Sequence, residues 1–521
     1  MTLVAPDTAP DRAHDPTTGP PVRERHLLDV VPLSTAAVVV SGIGVLVVVS
    51  ALVSRSLVLA VLAAAAAALA LFLAQRPVLL ALVAITLVPV TSGLRRDLPI
   101  PGYRLSEVLT VVTSIVVLGL CARALPGPRW RAWDFAALAY CTGAAAFGVL
   151  DALLHQVPIT SADARVILGP VQFLLLYRVA AAAFGTEHLR VIAMRSVILA
   201  SLPVSIFAAL QQVGPPVFQD LAVSITGTGV FNTPGYDPVR RATSVFPIWH
   251  ALAGYLLIVC LLVVALLLRR DRRVLPPIVL GVVLAAALIA LVYSLTATIV
   301  AGLLIGVVVL GAILRRFVLV VTALVGATFV TLVAFFPLVS ERIAAQSTST
   351  PTVTASGDSF LPQTIQYRLD IWTEQYLPAL HGSWLNGYGP ADPPGVFWQH
   401  TESGYLTLIL RGGLAYVAVA GLLVYLSWRS GRVRLQVART ASEAALAATV
   451  MALAVVLVII NLTFPYLVDS GLPQPMWVLW GLLAAAIGEG ARGSAPRRAT
   501  LRGDEPDSVG HLVNLGTVDH A

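Results

Sequence analysis

Apolar runs of about 20 residues recur along this chain from Ser34 to Ile487, separated by short polar turns. Each is long enough to cross a hydrocarbon core as a helix. Fourteen runs are read, at 33–53, 56–74, 77–93, 105–121, 132–153, 166–184, 191–211, 245–268, 276–294, 296–314, 317–337, 404–427, 441–461 and 473–489. The pattern predicts an all-α, polytopic transmembrane helical bundle of 12–14 spans. Open sheets cannot span lipid, because their edges leave backbone groups unpaired. Residues 1–31 read as a disordered cytoplasmic N-terminus without a cleavable signal peptide. Residues 32–337 hold the first eleven spans, 338–403 form one large extracytoplasmic loop with short helices, 404–489 hold three more spans, and 490–521 form a disordered cytoplasmic tail.

Composition agrees with this pattern. The chain is 57% hydrophobic and 12% charged, with mean hydropathy +0.85, whereas a soluble protein carries about 25% charge. Every basic residue is arginine, so the formal charge of +7 reads as membrane topology and not as nucleic-acid binding. Cys121, Cys141 and Cys260 lie in apolar runs without CxxC spacing, as buried small hydrophobes do.

Arginine placement sets the orientation. The turns around 123–131, 269–273, 315–316 and 429–439, with the tail from Arg492, hold half of the 34 basic residues and read as cytoplasmic. Ten arginines oppose the rule: Arg55, Arg95, Arg96, Arg104, Arg165, Arg240, Arg241, Arg342, Arg368 and Arg411. Headgroup contacts or local ion pairs account for a single arginine of this kind. Several polar loops carrying them on one side point to an anionic ligand, since guanidinium forks pair bidentately with phosphate oxygens.

The polar interval from 338 to 403 carries the chemistry-bearing residues. A Ser/Thr/Pro-rich arm, 345–358, leads to a segment, 364–377, with a stripe of Tyr367, Ile371 and Tyr376. There Arg368 and Trp372 stand one turn apart. This segment reads either as an amphipathic helix anchored on the bilayer by Trp372, or as a helix held there while Arg368 faces a cavity. Asp370 reads as a solvated charge or an arginine partner. Glu402 stands at the lip of the next span, with Tyr405 just inside it and Arg411 deeper, and ionisable residues at membrane depth are functional candidates. His400 and Glu402 are both candidate bases. Arg240-Arg241 end the other large outer loop, either as interface anchors or as a phosphate clamp. No Gly-rich nucleotide loop, HExxH, zinc spacing or nucleophile elbow is found.

Three blocks resemble the O-antigen ligase/polymerase superfamily of bacterial membrane glycosyltransferases, over about 203–420. They are Arg241-Ala242-Thr243-Ser244-Val245-Phe246; Arg368-Leu369-Asp370-Ile371-Trp372 with Leu385-Asn386-Gly387-Tyr388-Gly389; and Glu402-Ser403 followed by Gly413-Leu414-Ala415-Tyr416. Tyr103-Arg104-Leu105-Ser106-Glu107 is a weaker echo. The resemblance implies transfer of a glycan from an undecaprenyl-pyrophosphate carrier to an acceptor glycan, without cofactor, metal or nucleotide sugar. It implies membrane lipid, chain-length regulators and flippases as partners, and a setting in cell-surface polysaccharide biosynthesis in the bacterial inner membrane. Carried over, Arg240, Arg241, Arg368 and Arg411 bind the pyrophosphate, Glu402 or His400 deprotonates the acceptor hydroxyl, and Asp370, Trp372 and Tyr405 support them. Ligases carry histidine where this chain has Glu402, which looks more like the polymerase branch. The family's frequent Ser-Arg pair appears here as Thr296-Ala297. Two alternatives stand: a lipid-linked oligosaccharide flippase, which places arginines within spans around a cavity, and a polyprenyl-phosphate-sugar transferase, which Asp97 supports poorly.

Overall fold

The computed structural model describes residues 72–96 (without 74), 104–120, 130–156, 161–227, 241–337, 340, 363–389, 401–468 and 470–493. Regular structure among these residues is helical, with no strand. In chain order the helices are α1 (Pro77–Thr91), α2 (Leu105–Ser114, continued by a wider π turn to Leu120), α3 (Ala132–His155), α4 (Ser161–Ala183), α5 (Glu187–Val213), α6 (Val217–Thr226) and α7 (Trp249–Leu268). They continue as α8 (Pro277–Tyr293), α9 (Ala297–Ile313), α10 (Phe317–Ala334), α11 (Gln363–Ile371, with a π turn Trp372–Tyr376 and a short Leu377–Ala379), α12 (Gly404–Val437), α13 (Ala441–Ile460) and α14 (Pro473–Gly493).

Local chemistry sets many of these boundaries. Pro77 and Pro277 open α1 and α8 at the position where a missing N–H costs nothing. Thr186, Ser403 and Thr440 cap α5, α12 and α13 by accepting the N–H of Leu189, Leu406 and Glu443. Four helices, α5, α7, α12 and α13, are long and apolar enough to cross a membrane. The shorter apolar helices, α1, α8 and α9 among them, run beside them.

Helix α7 lies at the centre, with an almost unbroken buried run from Ala251 to Val263. A helix that is apolar all round is one that other helices enclose. Helices α8, α9 and α13 pack around α7, and α12 packs on α13 and α3. Small residues set the closest approach, as they do where helices meet in lipid. A Cβ at Gly306 would come within 2.7 Å of Leu261, and one at Gly302 within 2.7 Å of Ile460. This wedges α9 between α7 and α13.

The two ends of the bundle differ. At one end Arg190 from the start of α5, Arg434 from the end of α12 and Glu489 from α14 gather on Glu443 or on Arg190, with Arg190–Glu443 at 2.8 Å and Arg434–Glu443 at 2.6 Å. Asp134 at the start of α3 accepts from Tyr177 and from Arg178 at 2.6 and 3.0 Å. Arg273 pairs with Glu187 there at 2.9 Å. Arg178, Arg190, Arg273 and Arg434 thus share one end. The opposite end joins the end of α5, the start of α7, the end of α8, the start of α12 and the end of α13.

Several expectations change. The run 404–427 is not one straight helix: Gly412 and Gly413 break α12, with Gly413 at φ +67° and ψ −169°. Beyond that break α12 extends to Val437, so Arg429, Arg432 and Arg434 sit on helix and not in a turn. The outer interval 212–244 contains a further helix, α6. Helix α14 runs to Gly493, four residues into the segment 490–521, and the runs 33–53 and most of 56–74, residues 1–31 and 494–521, the arm 345–358, Cys121, Arg240 and His400 lie outside the described residues.

Candidate functional site

The segment after Pro362 is helical, as its stripe predicts, but only part of that stripe is covered. Ile371 and Tyr376 are buried with Leu380, Leu406 and Leu410 in a small apolar cluster of their own. Tyr367 is 47% exposed and stands outside it. This cluster holds α11 against the first turns of α12. The Trp372 indole N–H donates to the Thr401 carbonyl oxygen at 2.7 Å. The tryptophan is therefore tied to the lip of α12, a contact that interface anchoring does not supply.

That docking brings Arg368 onto Glu402. The guanidinium Nη2 and Nε lie 2.9 and 3.3 Å from Glu402 Oε2, and the two side chains are 21% and 26% exposed. The other carboxylate oxygen, Oε1, has no hydrogen-bond partner among the described residues. Glu402 itself sits at φ +50°. Left-handed residues such as Gln156, Arg270, Leu295 and Arg315 follow helix ends, where that conformation is an ordinary cap. Glu402 and Ser244 instead precede helices, and such strain persists only where surrounding contacts impose it.

The second loop of this outer interval locks into the α12 break. Tyr388 N–H donates to Leu410 O at 2.6 Å, and Leu414 N–H donates to Trp384 O at 2.8 Å. The break thus exposes backbone groups that residues 384–388 satisfy. Gly387 and Gly413 permit the approach: a Cβ at Gly387 would lie 2.6 Å from Ile409 O, and one at Gly413 would overlap the Leu385 carbonyl. The Tyr388 hydroxyl donates to Ala379 O and closes the loop.

The 241–246 turn is built around Gln211 of α5. Its Oε1 accepts Thr243 N–H at 3.1 Å and Ser244 N–H at 2.5 Å, and Ser244 Oγ donates to Val204 O at 2.8 Å. Ala242 N–H donates to Tyr293 O at the end of α8, at 2.9 Å. Thus held, Arg241 lays its guanidinium 4.2 Å from the Trp249 ring centroid. The next residue, His250, stacks on Phe464 at 4.3 Å, and its Nδ1 lies 3.4 Å from Tyr466 Oη. Arg241, Trp249 and His250 therefore form one group at the end of the bundle that also carries the Arg368–Glu402 pair.

Other expected members stand apart. Arg411 is set at the α12 break, on the helix that carries Tyr416 of the stacked pair Tyr140 and Tyr416. About 10 Å of helix separates it from Gly404. Asp370 has no ion pair among the described residues. The Tyr405 hydroxyl donates to Val458 O at 2.7 Å, which ties α12 to α13. In the 94–104 loop Arg96 pairs with Glu107 at 3.3 Å, the Arg104 side chain donates to Ser92 O, and its backbone N–H donates to Glu107 Oε2 at the start of α2. Arg96 is thus paired with a carboxylate as Arg368 is. The Arg165 side chain lies outside the described residues.

His250 was missed because it reads as one letter in the apolar run 245–268. An ionisable residue within a span is itself a signal. The geometry defines a helical bundle with membrane-length helices and a cationic, aromatic-lined cluster at one end. Among protein families and curated proteins, no match to this chain is found.

Proposed function

We propose that this protein is a membrane glycosyltransferase of the O-antigen ligase/polymerase kind. It moves a glycan from an undecaprenyl-pyrophosphate carrier to an acceptor sugar at the outer face of the bacterial cytoplasmic membrane, in surface polysaccharide synthesis. In this reading the chain has fourteen spans and both termini inside, and the cluster faces outward. Glutamate at 402 favours a polymerase over a ligase. The observation that carries the reading is the Arg368–Glu402 pair at 2.9 Å, half-buried at the same end of the bundle as Arg241 on the Trp249 ring and away from the Arg190–Glu443 network.

The chemistry follows from charge. Transfer expels a pyrophosphate, and preorganised guanidinium groups stabilise the charge that develops on it. Arg368 can exchange Glu402 Oε2 for a phosphate oxygen, and Arg241, on the Trp249 ring, stands at the same end of the bundle. Each such contact contributes about 2–4 kcal/mol in the transition state. The acceptor hydroxyl gives its proton to a base, for which the resemblance offers Glu402 and His400.

Deletion of the gene in its native host tests this. The expected result is short or absent surface polysaccharide, with lipid-linked glycan accumulating on the outer leaflet. Complementation by Arg241→Ala or Arg368→Ala is expected to fail although each variant reaches the membrane in normal amount. Accumulation on the inner leaflet would point to a flippase, and full complementation by both variants would remove the clamp.

A further inference from the structure

Two turns at the end of the bundle that holds Arg190 and Arg434 carry cations that no protein group answers. Arg269, Arg270 and Arg272 follow α7, and Arg315 and Arg316 follow α9. All five are exposed, and none of their side chains has a hydrogen-bond or ion-pair partner among the described residues. The nearby carboxylates are engaged elsewhere. Glu187 pairs with Arg273, and Asp271 is buried, with one oxygen accepting the Arg273 N–H at 2.6 Å. The two turns stand side by side, because Gly306 of α9 meets Leu261 of α7, and each helix runs toward this end and stops seven residues further on. Packed helices lie about 8–10 Å apart, so side chains from both turns reach one common group.

Both turns are built alike. Arg270 N–H donates to Leu267 O and Asp271 N–H to Leu266 O, each at 3.0 Å; Arg315 N–H donates to Ala312 O at 3.2 Å and Arg316 N–H to Gly311 O at 2.7 Å. This is the usual left-handed helix stop, and it puts Arg270 and Arg315 at φ +52° and +57°. Glycine takes that position without strain, so arginine in both turns adds charge against the backbone preference. Apolar strips begin beside the charge. Ile278 and Val282 of α8 are 81% and 57% exposed, and Val318 and Val325 of α10 are 77% and 66% exposed. Membrane orientation asks for arginine at this end wherever it stands. It does not ask for unpaired cations on two neighbouring turns, each continuous with an exposed apolar face.

We propose that these two turns bind an anionic phospholipid of the leaflet that meets this end of the bundle. The phosphate diester sits between the α7–α8 turn and the α9–α10 turn, where guanidinium groups pair with its oxygens. The acyl chains lie along the exposed faces of α8 and α10. Charge complementarity selects the headgroup, and the apolar strips select a lipid over a soluble anion. The site lies at the opposite end from Arg241 and Arg368, so it stands whether or not the protein is a transferase.

The test titrates the full-length protein in neutral detergent with phosphatidylglycerol, with phosphatidylcholine of the same chains and with inorganic phosphate, and counts bound lipid by native mass spectrometry. Wild type is expected to bind phosphatidylglycerol saturably and at least about tenfold more tightly than phosphatidylcholine, and phosphate at the same concentration is expected not to displace it. Arg270→Gly combined with Arg315→Gly is expected to weaken phosphatidylglycerol binding about 30-fold, the equivalent of about 1 kcal/mol for each arginine near an anionic lipid. It should still melt as wild type does, because glycine suits both turns. Arg429→Gln combined with Arg439→Gln removes two exposed arginines of the same end outside both turns, and is expected to change binding little. Equal loss in the two double variants would mean diffuse attraction to the whole surface and would overturn the site. Displacement by phosphate, equal binding of the two lipids, or unchanged affinity in the glycine variant would overturn it as well. If the glycine variant melts early, Arg272→Gln combined with Arg316→Gln decides by the same criteria, since it leaves both left-handed positions as they are.

Discussion

Gly413→Ala perturbs the joint on which the site depends. At φ +67° and ψ −169°, Gly413 occupies a region that is essentially closed to residues with a Cβ. Forcing alanine into it costs about 1–3 kcal/mol. The added carbon would also overlap the Leu385 carbonyl and lie 2.5 Å from Asn386 N. These are backbone atoms, so no rotamer change relieves the clash. The loop 384–388 must lift, which breaks Tyr388 N–H to Leu410 O and Leu414 N–H to Trp384 O. Each such bond contributes about 0.5–1.5 kcal/mol. Altogether about 2–6 kcal/mol of local stability is lost. Thermal unfolding in detergent, with hydrogen exchange on 380–389, reads both effects. The control is Gly281→Ala, in the exposed middle of α8 with no atom near a new Cβ, where alanine favours the helix by about 1 kcal/mol. Gly413→Ala with an unaltered melt and unaltered exchange at 384–388 would refute the reasoning.

Two further outcomes follow from the contacts. Glu443→Ala leaves Arg190 and Arg434, 2% and 7% exposed, without their shared carboxylate, and should lower stability in detergent by about 3–5 kcal/mol; a neutral result would mean the network is solvated. Trp372→Phe keeps the apolar body but removes the donor to Thr401 O, so stability should fall by about 0.5–1.5 kcal/mol while transfer falls more, because Arg368 loses its support. Equal loss in both readouts would count against a positioning role.

Much of the helical scaffold was legible because helices enclosed by other apolar groups carry no polar stripe to conceal them, as Leu256–Leu262 in α7 and Ala444–Ala448 in α13 show. The pairing of Arg368 with Glu402 was not legible, since 34 residues separate them and the link depends on Trp372 reaching Thr401. The break in α12 was hidden for a related reason. Gly412 and Gly413 look tolerable within an apolar run until a distant loop supplies the partners for Leu410 and Leu414. Arg96 and Arg104 looked available because Glu107 belongs to the next helix. Gln211 gave no signal, as its role is set by the backbone turn at 243–244.

The most direct measurement is undecaprenyl pyrophosphate binding to the full-length protein in nanodiscs, compared among wild type, Arg241→Ala, Arg368→Ala and Arg95→Ala. The account predicts saturable binding that weakens about 30-fold or more in each of the first two variants, the equivalent of about 2 kcal/mol, and little change in Arg95→Ala. Equal affinity in all four proteins, or no saturable binding by wild type, would contradict it.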